Sequence, residues 1–297
     1  MNRLVIVGNG FDMAHGLKTS YMDFINWYWD QRVNSFVGNT TKMSEDILCK
    51  LHIKNNEDIS CWNVFAYQKS FFFKDIVHKE RYTGREIIQH IKDNPKLFSI
   101  ECCPFFETIL QSIETKGWVD IENDYYQTLK NNIDSPRCDY NIIELNKQLA
   151  FLQGKLVEYL NTIGTSEFKN DLNDKIVEIF NPDDFSTEGK KRACRSIGLE
   201  SYELKELPNN SYKRQKLHPR HIMVLSFNYT DTARKYTAPN ILHNYIHGDL
   251  EHPENIIFGY GDELDKRYQD ILEKNNNEFR NYSAPPMGMS NRLTVVL

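Results

Sequence analysis

The chain predicts an α/β fold: a Rossmann-like, mainly parallel sheet built from both chain ends, with a large helical insertion between them. Three observations point there. The apolar run Arg3-Leu4-Val5-Ile6-Val7 breaks at Gly8-Asn9-Gly10, as a buried first strand passes into a ligand-holding loop. Strand-like runs return only beyond residue 220. The residues between carry long helical periodicities. The expected ligand-binding core is therefore residues 1–30 with 215–297, and residues 31–214 form the helical insertion.

The elements follow in order. Ser20-Tyr21-Met22-Asp23 has capping-box character, with Asp for the usual Glu, and starts a helix expected to run to about Asp30. Phe105, Phe106, Ile109, Leu110 and Ile113 recur at helical spacing, as do Leu145, Leu149, Leu152, Leu156, Leu160 and Ile163; both stripes read as core. Asn181-Pro182-Asp183-Asp184 and Pro208-Asn209-Asn210-Ser211 are turn chemistry around a basic stretch, Lys190-Lys191-Arg192 with Arg195, that reads as a solvated face. Strands are expected at His221–Phe227, Ile241–Ile246 and Asn255–Phe258. They end in Asn228-Tyr229-Thr230-Asp231, His247-Gly248-Asp249 and Gly259-Tyr260-Gly261-Asp262. Residues after about 280 look irregular, with a further strand expected at Leu293–Leu297.

Composition narrows the classes. The 297 residues are 40% hydrophobic and carry 41 acidic against 36 basic side chains, a net −5. That balance does not favour nucleic acid, which wants a basic surface. No run approaches the ~20 apolar residues of a membrane span, and the opening run is short for a signal peptide. Six cysteines without CxxC spacing read as reduced cytoplasmic thiols.

Three clusters carry chemistry. Gly8-x-Gly10 allows a tight turn and close backbone approach to a ligand, but Met13 stands where a third glycine would complete the dinucleotide fingerprint. Beside phosphate the Asp12 carboxylate repels, so it binds ribose, holds a metal or caps a helix. Asn228, at a strand end, fixes a ribose or a water, or makes an Asx-turn with a helix cap at Thr230 or Asp231. His247 titrates near neutrality and suits a general base. A fourth cluster, Trp118-Val119-Asp120-Ile121-Glu122-Asn123-Asp124, reads either as a divalent-metal or ribose-binding edge or as an acidic helix start over buried aromatics.

Together these motifs resemble the AbiH family of bacterial phage-defence proteins. The resemblance rests on Asn9-Gly10-Phe11-Asp12 with His15-Gly16-Leu17 and Tyr21, Trp118 with Asp120 and Glu122, Phe227-Asn228-Tyr229-Thr230, His247-Gly248 and Phe258-Gly259, in the family's order. It implies a cytoplasmic protein of abortive infection, limiting phage spread by damaging host metabolism. A looser similarity is to sirtuin-like NAD-consuming defence domains, with Asn9, Phe227 and Thr230 standing where those carry Ala, Thr and Asp. That likeness implies NAD as substrate or ligand, with Gly8, Asn9, Gly10, Phe11, Thr230 and Gly248 binding it and Asn228, His247 and Asp12 catalytic.

Two classes of function follow. One is an enzyme that binds and hydrolyses NAD(P) or a related nucleotide. The other is a magnesium-dependent nuclease or phosphoesterase using Asp12, Asp120, Glu122 and Asp124. A non-enzymatic nucleotide sensor is a third. The expected partners are a small nucleotide, a phage-derived trigger and a second copy of the chain.

Overall fold

The computed structural model describes residues 1–37, 43–54, 84–93, 95–96, 98–116, 121–134, 142–163, 174–199, 203 and 214–257. Among them the strands are β1 Arg3–Val7, β2 Met43–Glu45, β3 Cys49–Ile53, β4 Phe98–Cys102, β5 Ile222–Ser226 and β6 Ile241–Tyr245. The helices are α1 Asn9–Ala14, α2 Tyr21–Val37, α3 Gly84–Asp93, α4 Pro104–Lys116, α5 Ile121–Asp134, α6 Ile142–Ile163 and α7 Thr187–Ile197. The chain divides into two compact units, one of Met1–Thr19 with Ile163–Ile256, the other containing Ser20–Thr162.

The first unit is built on a parallel sheet in the order β1-β5-β6. Its strands come from opposite ends of the chain, as the apolar runs predict. The register aligns Arg3, Ile222 and Ile241 at one end and Val7, Ser226 and Tyr245 at the other. One face packs Val7, Ile222 and Val224 against Ala233, with Val5, Phe11, Val177, Ile241 and Tyr245 around them. The alternation of side chains sends Leu4, Ile6 and Leu242 to the other face, where they are 60–65% exposed. The opening strand is thus half-buried rather than buried on both faces. Arg3 anchors a distant segment, donating from Nη1 to the carbonyls of Lys175, Ile176 and Glu178 at 2.6–2.9 Å and lying over the Phe180 ring. Helix α7 is capped by Ser186, which accepts from the Gly189 amide at 3.1 Å. It ends at Gly198 in the left-handed region (φ 66°). Its Lys191, Arg192 and Arg195 are exposed, the solvated face expected.

Over its described residues, 255–257, the expected strand Asn255–Phe258 does not form. Pro253–Asn255 is a 3-10 turn and Ile256 follows it outside any strand. The ring of Pro253 fixes φ at a value suited to a helical start. The neighbouring Gly248 also leaves no room for a side chain against the Asn255 backbone.

In the second unit Ser20 caps α2 as the sequence predicts, accepting from the Asp23 amide at 3.1 Å while its hydroxyl donates to Asp23 Oδ2. The helix continues past Asp30 to Val37, because Phe24, Ile25, Tyr28, Trp29, Arg32 and Val33 bury one continuous stripe. The stripe of α6 is core: Leu145, Leu149, Leu152, Leu156 and Leu160 are all buried. The region is not wholly helical. β2, β3 and β4 form an antiparallel sheet. The structure of Phe258, Gly259-Tyr260-Gly261-Asp262, Pro208–Ser211 and the expected strand Leu293–Leu297 lies outside the described residues.

Candidate functional site

The three motif clusters of the first unit leave the sheet at one edge. β1, β5 and β6 run parallel and end in register at Val7, Ser226 and Tyr245. Gly8–Asp12, Phe227–Thr230 and Ile246–Asp249 therefore start from the same carboxyl edge, where open α/β sheets bind ligands. The ladder runs on past the strands: the Phe227 amide donates to the Val7 carbonyl at 3.0 Å, and the Ile246 amide to the Ser226 carbonyl at 2.9 Å.

Asn228 joins the first two clusters. Its Nδ2 donates to the Gly8 carbonyl at 2.9 Å, and its own amide donates to Ser226 Oγ at 3.2 Å. The side chain is buried, so it sets the glycine turn from below. Thr230 makes the second link, donating to Asp12 Oδ2 at 2.6 Å, with the Thr232 hydroxyl 3.1 Å beyond. Thr230 sits at the N-cap of the Asp231–Lys235 turn but makes no cap bond, because its hydroxyl is committed to Asp12.

Asp12 is 1% exposed. Burial pushes its carboxyl above the usual range, against the pull of Thr230, Thr232, Asn228 and His15 nearby. Its Oδ1 has no hydrogen-bond partner among the described residues. His15 fastens the loop's far end. Its Nδ1 lies 2.7 Å from the Phe11 carbonyl and its Nε2 2.8 Å from Tyr236 Oη. Asn9 Oδ1 accepts from Thr19 Oγ1 at 2.6 Å. Ser226, Thr232 and Tyr236 are thus supports that motif reading missed, and His15, part of the opening motif, gains a role there. The sequence signal was there: small hydroxyls two residues either side of Asn228 and Thr230, and a His placed i+4 from Phe11.

Above this buried network the glycines stand apart. Gly8 has φ −137° and ψ −168°, extended backbone that any residue adopts. Neither Gly8 nor Gly10 has a positive φ, and a Cβ at either would meet nothing within 4 Å. No described contact requires glycine at either position. Gly248 is the opposite case. It has φ 83°, and a Cβ there would lie 2.5 Å from the Asn255 carbonyl oxygen. The fold itself demands that glycine.

His247 is half-buried, its ring edge-on to Phe227 at 5.5 Å and tilted to Tyr229 at 6.3 Å. Burial lowers its pKa, favouring the neutral imidazole. The turn it starts is tied to the second cluster by the Leu250 amide, 3.1 Å from the Tyr229 carbonyl. Arg234 braces it, bonding Asp249 at 2.7 Å and Glu251 at 2.5 Å over the Tyr245 ring. Asp249, Glu251 and His252 cluster closely enough to suggest a cation site. Arg234 already pairs with both carboxylates, however, and the group reads as an ion-pair network.

The acidic cluster of the alternative reading lies in the other unit. Asp124 is on α5 with a buried side chain. Asp120 and the side chain of Glu122 lie outside the described residues.

The family model described as "Bacteriophage abortive infection AbiH" matches residues 4–285. The match spans the glycine turn, Asn228 and His247. No curated protein and no solved structure matches the chain.

Proposed function

The chain belongs to the bacteriophage abortive infection AbiH family, which gives it a role in abortive-infection defence against phage, and from that premise we propose that its parallel-sheet edge is a Rossmann-like, sirtuin-like site that binds and hydrolyses NAD(P). One observation carries the reading. Gly8 and Gly10 lie at the carboxyl edge of the sheet, with Asn228 bonded to Gly8 and the His247 turn leaving the same edge two strands away, and no described contact requires either to be glycine. Positions without side chains, where no described contact fills the space, suit a ligand that comes up against the backbone.

The chemistry divides among the residues. Gly8, Asn9 and Gly10 present backbone to the diphosphate, with Phe11, Thr230 and Gly248 shaping the walls. Asn228 holds the turn in place through the Gly8 carbonyl. The nicotinamide–ribose bond breaks with its electron pair leaving on nicotinamide, through an oxocarbenium-like state at the ribose carbon. Water adds to that carbon, and His247 takes its proton. The lowered pKa keeps the imidazole neutral and ready to accept at pH 7. Asp12 sits beneath the loop, where it fixes Phe11 and the turn through Thr230 and adds negative potential under the developing cation.

The test is to incubate pure protein with NAD and follow free nicotinamide, with and without phage lysate as a source of trigger. Release that needs Asn228 and His247 supports the reading. No release under either condition, with no thermal shift by NAD or ADP-ribose, overturns it. Magnesium-dependent cleavage of nucleic acid in the same preparation would instead favour the phosphoesterase reading.

A further inference from the structure

The second unit holds a cysteine pair that the nucleotide reading does not use. β3 and β4 are antiparallel, and their register sets Cys49 directly opposite Cys102. The Cys103 amide donates to the Leu48 carbonyl at 2.8 Å, so the bonded pair is the neighbouring one and Cys49–Cys102 is a non-bonded pair. In such pairs the Cα atoms lie about 4.5 Å apart and the side chains share one face. That spacing falls in the window a disulfide spans, about 4.4–6.8 Å. The register sets the two thiols next to each other on that face. Both are free.

The surroundings distinguish the partners. Cys49 is 2% exposed, whereas Cys102 is half-buried. Tyr28 Oη lies 3.2 Å from Cys49 Sγ and 3.1 Å from both oxygens of Asp46. Asp46 also accepts the amides of Leu48 and Cys49 at 2.9 and 3.0 Å and pairs with Arg32 at 3.2 Å. A buried thiol ordinarily titrates high. Here hydrogen bonding with Cys102 and Tyr28 holds Cys49 below the usual thiol range, while the same pairing and burial push Cys102 above it. Neighbouring Cys103 is pushed up to about 11 by burial.

We propose that Cys49 and Cys102 are a redox modification site, closing to a cross-strand disulfide in exchange with a low-molecular-weight disulfide. Cys102, the reachable member, passes its proton to the adjacent Cys49 thiolate and attacks one sulfur of the oxidant; the other sulfur leaves and takes that proton back from Cys49. Cys49 thiolate then attacks the Cys102 sulfur, and the second oxidant sulfur leaves as thiolate and takes up from solvent the proton Cys49 lost on ionising. Two protein thiols are oxidised to one disulfide, and the oxidant is reduced to two thiols. The site is independent of the nucleotide reading and stands or falls separately.

Treat the full-length reduced protein with glutathione disulfide, quench with acid, and measure intact mass and the linked peptides. The expected product has lost two hydrogens and joins the Cys49 peptide to the Cys102 peptide. Cys49→Ser should trap glutathione on Cys102, raising the lasting adduct at least tenfold over wild type; Cys49→Ala gives the same result if serine disturbs folding, judged by circular dichroism. Tyr28→Phe should acquire the adduct at the wild-type rate but close at least tenfold more slowly. A Cys102–Cys103 link, lasting adducts in the wild type, or reaction only after denaturation would overturn the proposal.

Discussion

Replacing Gly10 with alanine separates a glycine the fold needs from one a ligand needs. Gly10 is exposed, lies in the first turn of α1, and has open space where a Cβ would go. Alanine is preferred over glycine in a helix by about 0.8–1 kcal/mol, so the free protein should gain about 0.5–1 kcal/mol. For a domain of this size that raises Tm by about 1–4 °C. The ligand-bound state should move the other way. A diphosphate oxygen hydrogen-bonded to backbone sits at about 2.9 Å, inside the radius of a new methyl group. Losing two charge-assisted bonds of about 1.5–3 kcal/mol each weakens binding about a hundredfold or more. Thermal scans without ligand and calorimetric titration with NAD read the two effects separately. An alanine variant that binds NAD within threefold of wild type would refute the reasoning. So would one destabilised without ligand, since the glycine would then serve the fold.

Three other substitutions probe the same edge. Gly248→Ala meets both a positive φ and the Asn255 carbonyl, so chemical denaturation should show a loss of at least about 2 kcal/mol; a neutral result would mean that the His247 turn is not held as described. For Asp12 the raised carboxyl pKa means the folded state binds more protons than the unfolded state above the ordinary value, so stability falls as pH rises through that window. Asp12→Asn should therefore be more stable than wild type at pH 7, with the gap closing as the pH falls toward the ordinary carboxylate range in urea titrations. Destabilisation at pH 7 would show that the charge is held favourably. His247→Ala should cut nicotinamide release by about 10²–10⁴ while ADP-ribose still shifts Tm. In the wild type, burial places the acid limb of the rate below about pH 6.5; activity lost in the mutant together with all ADP-ribose binding would assign His247 to binding instead.

The parallel sheet was legible because its strands are apolar runs that stop at glycine, asparagine or histidine: Val5 and Val7, Ile222 and Val224, Ile241. The burial of the α6 leucines was legible from their spacing alone. The antiparallel sheet was not. β2 has three residues, and β3 reads Cys-Lys-Leu-His-Ile, with Leu51 buried to 1% and Lys50 paired at the surface with Glu45. So short an alternation does not stand out between helical segments. The end of α2 was missed because Arg32 looks like a polar stop, yet it is buried against Asp46. At the proposed site, the sequence singles out Asn228, Asp12 and His247 but not their contacts. The amide of Asn228 faces the Gly8 carbonyl, and Asp12 lies under the loop. Hydrogen bonds between residues some 220 positions apart carry no local signal.

The most direct measurement of the central claim is a structure of the protein bound to ADP-ribose. The diphosphate is expected against the Gly8–Gly10 backbone and the terminal ribose on the side of His247. Ligand seated elsewhere, with the Gly8–Asp12 turn bare, would contradict it.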